Sequence, residues 1–150
     1  MQTVLDLKKL YEKDEHLWLL ENAKLLREGK WEQADFDNIA ETLEDIGRRD
    51  LREVVSRLKV LMIHLLKWIV QAEARSSSWK GTIRHQRDEL NSMFEDSYNL
   101  KKHAEDSFSK SYKKAREIAP DETGLPLSHF PEAYPLPLNR SLERIIYQSN

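Results

Sequence analysis

Apolar side chains recur at helical spacing along the first 119 residues, and this pattern predicts three early amphipathic helices. We expect the first to run from an N-cap at Asp14 to Gly29. The second begins at residues 35–37, and Gly47 should break or kink it. The third covers residues 51–69 with a wide apolar face, so it should be the central helix of the domain.

Two further helices are predicted after these. The serines at 76–78 offer N-cap oxygens to a fourth helix, on which Trp79 belongs to the apolar face. The fifth should begin near Ser97 or Asn99 and end by Ala119, just before a proline. The alternation of apolar and polar residues that is typical of strands does not occur at any convincing length. We therefore predict an all-α fold, a compact bundle of about five helices.

All five prolines lie in the last 31 residues. Because proline lacks an amide hydrogen and interrupts helices, we expect an irregular proline-rich tail there, with one short helical turn within residues 138–147. The predicted organisation is a helical bundle at residues 1–119 and a tail at residues 120–150 that packs on the bundle or on a partner. Phe130 and Tyr134 stand beside prolines, an extended apolar arrangement suited to docking.

Charge is nearly balanced over the chain, with 24 Lys and Arg against 26 Asp and Glu and a formal net charge of −2. This balance provides no overall attraction to nucleic acid, so we do not expect a nucleic-acid partner. The distribution of charge is uneven. Residues 1–47 hold 6 basic and 12 acidic side chains, whereas residues 48–119 hold 16 basic and 10 acidic side chains. The two parts should attract each other within the bundle, or the basic part presents a patch to an acidic partner.

The longest apolar stretch, Val60–Val70, has eleven residues and contains His64 and Lys67. A bilayer requires about 20 apolar residues, so this stretch is predicted to be a buried helix, and we expect no membrane association. Charged residues interrupt the first 20 positions, which therefore do not resemble a secretory signal. These features predict a cytoplasmic protein.

Spacing excludes several kinds of catalytic and cofactor site. The chain has no cysteine, which removes thiolate metal sites and thiol nucleophiles. No two glycines and no two histidines are closer than 18 residues, so phosphate-binding glycine loops, G-x-S-x-G and H-E-x-x-H are absent. We predict no cofactor and no metal. One alternative stays open, a carboxylate metal site of Glu41 and Glu44 that His64 completes.

Several short runs stand out for their order along the chain. They are Tyr11–Asp14, Leu25–Gly29, Asp37–Gly47, His64–Trp68, Ser78–Trp79, Ile83–Arg87 and Glu122–Leu125. Over residues 11–135 these runs resemble the domain of unknown function family 29, whose members are bacterial and largely cyanobacterial. The resemblance implies a compact helical bundle, and it carries no activity, substrate or cofactor.

The resemblance also draws attention to ionisable residues beside the apolar stripes. The family's motif positions match at Asp14, Trp18, Glu41, Glu44, Gly47, His64, Lys67, Trp79, Arg84, Gln86, Arg87 and Glu122. From the second, third and fourth predicted helices we select a candidate polar cluster: Glu41, Glu44, His64, Lys67, Arg84 and Arg87. If it is buried and paired, the cluster would hold the helices in register, and replacing His64 by leucine should destabilise the fold. If it opens to solvent, it would bind a ligand.

Three functional interpretations follow. The leading one is a non-enzymatic protein-interaction or regulatory module that binds a protein partner or a second copy through its surface or its tail. The alternative is a small-ligand or metal-binding protein, or an enzyme, that uses the polar cluster. The third is a weak nucleic-acid binder that uses the basic residues 48–119.

Overall fold

A computed structural model of the chain describes residues 6–143, which contain seven α-helices and no strand. The helices are α1 (Leu7–Lys13), α2 (Glu15–Arg27), α3 (Phe36–Val70), α4 (Ser77–Asp96), α5 (Tyr98–Asp106), α6 (Phe108–Thr123) and α7 (Leu138–Ser141). The prediction of an all-α fold is confirmed. α7 lies within the turn predicted at residues 138–147, of which residues 144–147 are outside the described range. Within residues 6–143, no helix combines the length and the apolar character needed to cross a membrane.

The chain divides into two compact units. The first ends at Arg48 and contains α1, α2 and the beginning of α3. The second starts at Arg49 and contains the rest of α3 together with α4 to α7. The division therefore falls inside a helix and not in a linker. The predicted organisation into a bundle at residues 1–119 and a tail at residues 120–150 stays a prediction.

α3 is one continuous helix of 35 residues, so the expected break at Gly47 is wrong. Among the described residues only Gly29 and Gly124 have a positive φ, of 71° and 73°, and Gly47 does not. A glycine inside a helix costs only about 0.5–1 kcal/mol relative to alanine. Helical hydrogen bonds propagate cooperatively through the residues on both sides, and this outweighs the cost of a single glycine.

Helix starts follow the polar signals in the sequence. A side-chain oxygen of Asp14 accepts a hydrogen bond from the backbone N–H of Leu17 at 3.1 Å, in the first turn of α2. Ser76 and Ser97 do the same at the starts of α4 and α5, each at 3.2 Å. The N-caps predicted at Asp14 and in the serine run are confirmed.

The predicted fifth helix is divided into two. α5 ends at Asp106, and α6 then continues through Pro120 to Thr123, one turn beyond the end expected at Ala119. Proline removes one backbone hydrogen bond from a helix, yet the chain completes another turn. Gly124, with a φ of 73°, then ends α6, and its N–H donates to the carbonyl of Pro120 at 2.9 Å.

The C-terminal half of α3 forms the centre of the second unit, as predicted for the third helix. Six core positions on it have no exposed surface: Val54, Leu58, Leu61, Met62, Leu65 and Leu66. The other helices and the C-terminal segment add buried side chains to the same core, among them Ile83, Leu90, Ala104, Tyr112, Ala115, Ala119 and Phe130. Each fully buried leucine contributes about 1.5–3 kcal/mol, so this core accounts for much of the unit's stability.

The C-terminal segment, residues 124–143, packs within the second unit partly through its backbone carbonyls. Arg116 Nε donates to the carbonyl of Phe130 at 3.0 Å, and the Tyr112 hydroxyl donates to the carbonyl of Pro131. Irregular backbone leaves such carbonyls without helical partners, and buried carbonyls require a donor. Side chains of α6 thus supply the hydrogen bonds that this segment cannot make for itself.

Phe130 and Tyr134 do not present apolar surface to a partner, so that expectation is wrong. Phe130 is only 1% exposed and belongs to the core. Tyr134 is half-buried, with its ring centre 5.0 Å from that of Tyr112 and 5.6 Å from that of Phe108. Burial raises the pKa of Tyr134 to about 12. Burying a large aromatic ring in the core is more favourable in free energy than leaving it exposed on an extended tail, and this explains why the rings pack inward.

Candidate functional site

Lys67, a member of the predicted polar cluster, is buried near the end of α3. Its Nζ lies 2.7 Å from Oε2 of Glu122 on α6 and 5.5 Å from the ring centre of Trp79 on α4. The ammonium group therefore joins three helices through one ion pair and one cation–π contact. Removing the partner of a buried charge is costly, so this arrangement acts as a structural clamp.

His64 and Arg84 have partners on their own helices. His64 is half-buried, and its Nδ1 lies 2.9 Å from the carbonyl oxygen of Val60, one turn earlier on α3. Arg84 is exposed on α4, with its Nε 3.9 Å from Asp88. These contacts connect residues one helical turn apart, and neither joins two helices.

Arg87 is buried on α4 and reaches α7. Its Nε donates a hydrogen bond to the carbonyl of Ser141 at 2.6 Å. The Ser141 hydroxyl in turn lies 3.4 Å from the hydroxyl of Tyr134 and donates to it. Arg87 therefore anchors the C-terminal segment, a structural role for which a planar, permanently charged donor is well suited.

Glu41 and Glu44 lie on the exposed surface of α3 in the first unit. Arg48, one turn further along the helix, approaches Glu44 to 3.7 Å and also pairs with Asp45. The hydrogen bond from Arg48 to Asp45 raises the pKa of the guanidinium, and the charges of Asp45, Glu44 and Glu41 raise it further. The carboxylates of Glu41, Glu44 and Asp45 therefore stabilise the positive charge of the Arg48 guanidinium.

The six predicted cluster residues are divided between the two units. Glu41 and Glu44 belong to the first unit, whereas the other four belong to the second, so the cluster as a whole stays a prediction. Glu41, Glu44 and His64 lie on the single helix α3, which was expected to be two helices. Within residues 6–143, no three His, Asp or Glu side chains are placed to hold a metal ion, and the alternative carboxylate site with His64 gains no support.

Replacing Glu122 by glutamine should lower the free energy of unfolding by about 1–2 kcal/mol, because the buried ammonium of Lys67 loses its charged partner. Lys67→Met removes the charge and keeps an apolar stem over Trp79, so it should cost less. Urea unfolding of both variants measures the difference. The control is Glu117→Gln, which removes an exposed pair with Lys114 at 3.9 Å and should have almost no effect. A larger loss for Lys67→Met than for Glu122→Gln would contradict the clamp.

An apolar groove of about 180 Å³ runs between α2 and the beginning of α3, entirely within the first unit. Its walls are three side chains of each helix, Leu19, Ala23, Leu26, Ile39, Leu43 and Ile46. The walls are open to solvent, with exposed fractions of 65% for Leu43, 43% for Leu19 and 41% for Ile46. Leu20 and Phe36 are also exposed, so apolar surface is not confined to the walls.

Beneath the groove lies a buried polar network that joins α2 to the start of α3. Trp18 and Asn22 contribute to the lining from α2. The indole N–H of Trp18 and the side-chain amide of Asn38 both donate to Oδ2 of Asp35, at 3.0 and 2.7 Å. The backbone N–H of Asp35 donates to Oδ1 of Asn22 at 2.8 Å, and the amide of Asn22 donates to the carbonyl of Trp18 at 2.9 Å. Asp35 thus fixes the two helices whose apolar side chains form the walls.

The spacing of Ile39, Leu43 and Ile46 in the sequence places them on one face of the predicted second helix, but it does not predict that this face is exposed. Helical periodicity shows which side chains share a face and does not show what covers that face. For Asp35, at the centre of the polar network, the sequence predicts only a helix start. Its position just before an apolar run was the available signal, and that signal is equally typical of an ordinary N-cap.

A family match extends over almost the whole chain. Residues 10–146 match the family described as Domain of unknown function DUF29. This range includes every run on which the resemblance rests, so the resemblance is confirmed. No curated protein and no solved structure matches the chain. Since the family match covers far more than half of its length, the chain belongs to the DUF29 family.

Proposed function

We propose that this protein is a non-enzymatic interaction domain of a bacterial cell, which binds an α-helix of a partner protein in the groove between α2 and α3. The observation that carries the proposal is the set of large apolar side chains that line the groove and remain exposed. Large side chains that cluster in an exposed apolar groove are typical of sites that bind another protein.

The shape of the groove favours a helix as its occupant. Wall residues recur at intervals of three and four on both helices, Leu19 to Leu26 on α2 and Ile39 to Ile46 on α3. Two rows of this kind on opposite walls can accept the side chains of a third helix, as in helix-in-groove recognition. Seven residues span about 10 Å along a helix, so the occupant would contribute about two turns of contact.

The groove is less suited to a small substrate. Its volume of about 180 Å³ is below the range of roughly 300–1,000 Å³ that is typical of ligand pockets. Its lining consists of apolar side chains together with Asn22 and Thr42, and it includes no ionisable group. Acid–base catalysis requires such a group, which favours binding over an enzymatic role.

The test uses the full chain and a synthetic peptide of about 18 residues, five helical turns, with leucines on one face and glutamines on the other. We expect the peptide to bind, and Leu43→Gln to weaken binding by at least about tenfold, because a polar side chain replaces an apolar wall residue. Leu43 is 65% exposed, so this substitution should leave the fold intact. Fluorescence anisotropy of the labelled peptide measures the affinity.

The matched control is Ile118→Gln. Ile118 is an exposed aliphatic residue in the middle of α6 and does not line the groove, so this variant should bind the peptide as the unchanged chain does. Amide chemical shifts would locate the contact at Leu19, Leu43 and Ile46. No binding by the unchanged chain, or equal binding by both variants, would contradict the proposal.

A further inference from the structure

The unit that carries the groove is strongly acidic. Residues 1–48 hold 12 acidic and 7 basic side chains, a formal charge of −5. On α3, Asp37, Glu41, Glu44 and Asp45 are all exposed. An occupant of the groove therefore binds in a negative electrostatic field.

One exposed carboxylate extends the row of wall residues on α2. Glu15 precedes the wall residue Leu19 by one turn of α2 and so shares its side of the helix. A helix is about 10 Å wide, so polar side chains of a docked helix that lie beside the start of α2 come within roughly one Debye length, ~8 Å, of this carboxylate. Glu44 directly follows the wall residue Leu43 but lies about 100° further around α3, so it adds to the negative field at longer range.

The acidic stretch of α3 at residues 37–45 already holds a cation of its own chain. Arg48 lies against Glu44 and Asp45, and its guanidinium is attracted to Glu41 as well. Several carboxylates share this one arginine, which leaves a net negative charge for a partner to neutralise. The acidic stretch is thus complementary to further lysine or arginine side chains.

Building on the proposed function, we propose that the occupant is a basic amphipathic helix of a partner protein, with apolar side chains in the groove and lysine or arginine on its polar face. A second copy that docks through its own acidic unit is disfavoured, because it would bring another charge of −5 against the first. Charge complementarity of this kind acts mainly on the association rate and gives binding a clear dependence on salt.

Three peptides with the same leucine face and a polar face of lysine, glutamine or glutamate test this inference on the full chain. We expect the lysine peptide to bind at least about tenfold more tightly than the glutamate peptide at low salt, about 0.05 M. At about 0.5 M salt this ratio should fall to about threefold or less, because screening shortens the range of the attraction. The glutamine peptide should lie between the two at low salt and change little with salt.

Paired substitutions then locate the charge. Glu15→Gln with Glu44→Gln should weaken binding of the lysine peptide by about threefold or more and leave the glutamine peptide unaffected. The control pair, Glu95→Gln with Glu117→Gln, changes the net charge equally at exposed positions of α4 and α6. This control pair should leave binding of the lysine peptide unchanged.

The outcomes separate the two proposals. Equal affinity of all three peptides would overturn the basic helix and leave the groove as a docking site. Failure of every peptide to bind would contradict the docking function itself, and the present inference with it. Self-association of the unchanged chain in sedimentation velocity, lost in Leu43→Gln, would show that a second copy is the occupant and would also overturn the inference.

Discussion

Replacing Phe130 by alanine should lower the free energy of unfolding by about 3–5 kcal/mol. The ring is 1% exposed and packs in the same core as the central residues of α3. Truncation removes its transfer free energy from water and leaves a cavity in a closely packed core. The effect should be large because Phe130 lies in a segment that has no extended helix of its own to hold it in place.

Urea unfolding of the variant measures this loss, and amide hydrogen exchange shows where it acts. Amides of residues 126–143 should lose protection, since the ring holds that segment in the core. The control is Leu127→Ala, three residues earlier and 45% exposed, which should cost less than about 0.5 kcal/mol. A loss below about 1 kcal/mol for Phe130→Ala would show that the segment does not belong to the core.

The C-terminal segment shows what proline content predicts and what it does not. Proline excludes regular hydrogen bonding, and most of the segment is irregular, as expected. An irregular segment can nevertheless pack in the core, because side chains of other helices donate hydrogen bonds to its carbonyls. Arg87 donates to Ser141, Arg116 to Phe130 and Tyr112 to Pro131. These contacts join residues that are 14 to 54 positions apart in the chain, so no local pattern in the sequence predicts them.

Helix positions were more accessible from the sequence, because they depend on local chemistry. Caps at Asp14 and Ser76 were predicted from residue type and found at the helix starts. The break predicted at Gly47 is wrong because the local cost of one glycine is smaller than the cooperative stability of the helix on either side. The end of α6 was placed too early for a similar reason, since Pro120 weakens the helix without stopping it at once.

The exposure of an apolar stripe was beyond what periodicity can predict. Leu43 and Leu58 lie on the same helix in stripes of the same kind, yet Leu43 is 65% exposed and Leu58 is fully buried. The difference depends on how many other elements are available to cover each stripe. The second unit contributes several helices around its part of α3. In the first unit α2 supplies only one wall of the groove, and the opening lies between the two.

The candidate polar cluster shows the same limit for charged residues. Lys67 stands out in the sequence because it lies on an apolar helix, but its partner Glu122 is 55 residues away, and no local pattern connects the two. Burial and charge at one position indicate that a partner is required. Only the fold identifies which carboxylate supplies it.

Replacing Asp35 by alanine should lower the stability of the first unit by about 2–4 kcal/mol. The carboxylate accepts from the indole of Trp18 and from the amide of Asn38, and both donors would lose their partner. Trp18 is almost completely buried, so water cannot replace the lost acceptor without opening the packing between α2 and α3. The indole N–H resonance of Trp18, followed during a urea titration, reports the unfolding of this unit directly.

Asp37→Ala is the matched control, because Asp37 lies in the first turn of α3, two residues after Asp35, but is exposed. Both variants lose a favourable charge near a helix N-terminus, about 0.3–1 kcal/mol, so the difference between them measures the buried network. Asp35→Asn keeps one acceptor oxygen and should recover part of the loss. Equal losses for Asp35→Ala and Asp37→Ala would show that the network contributes nothing beyond the helix terminus. A larger loss for Asp35→Ala, together with weaker peptide binding, would show that this network also holds the groove walls in the geometry that a partner helix requires.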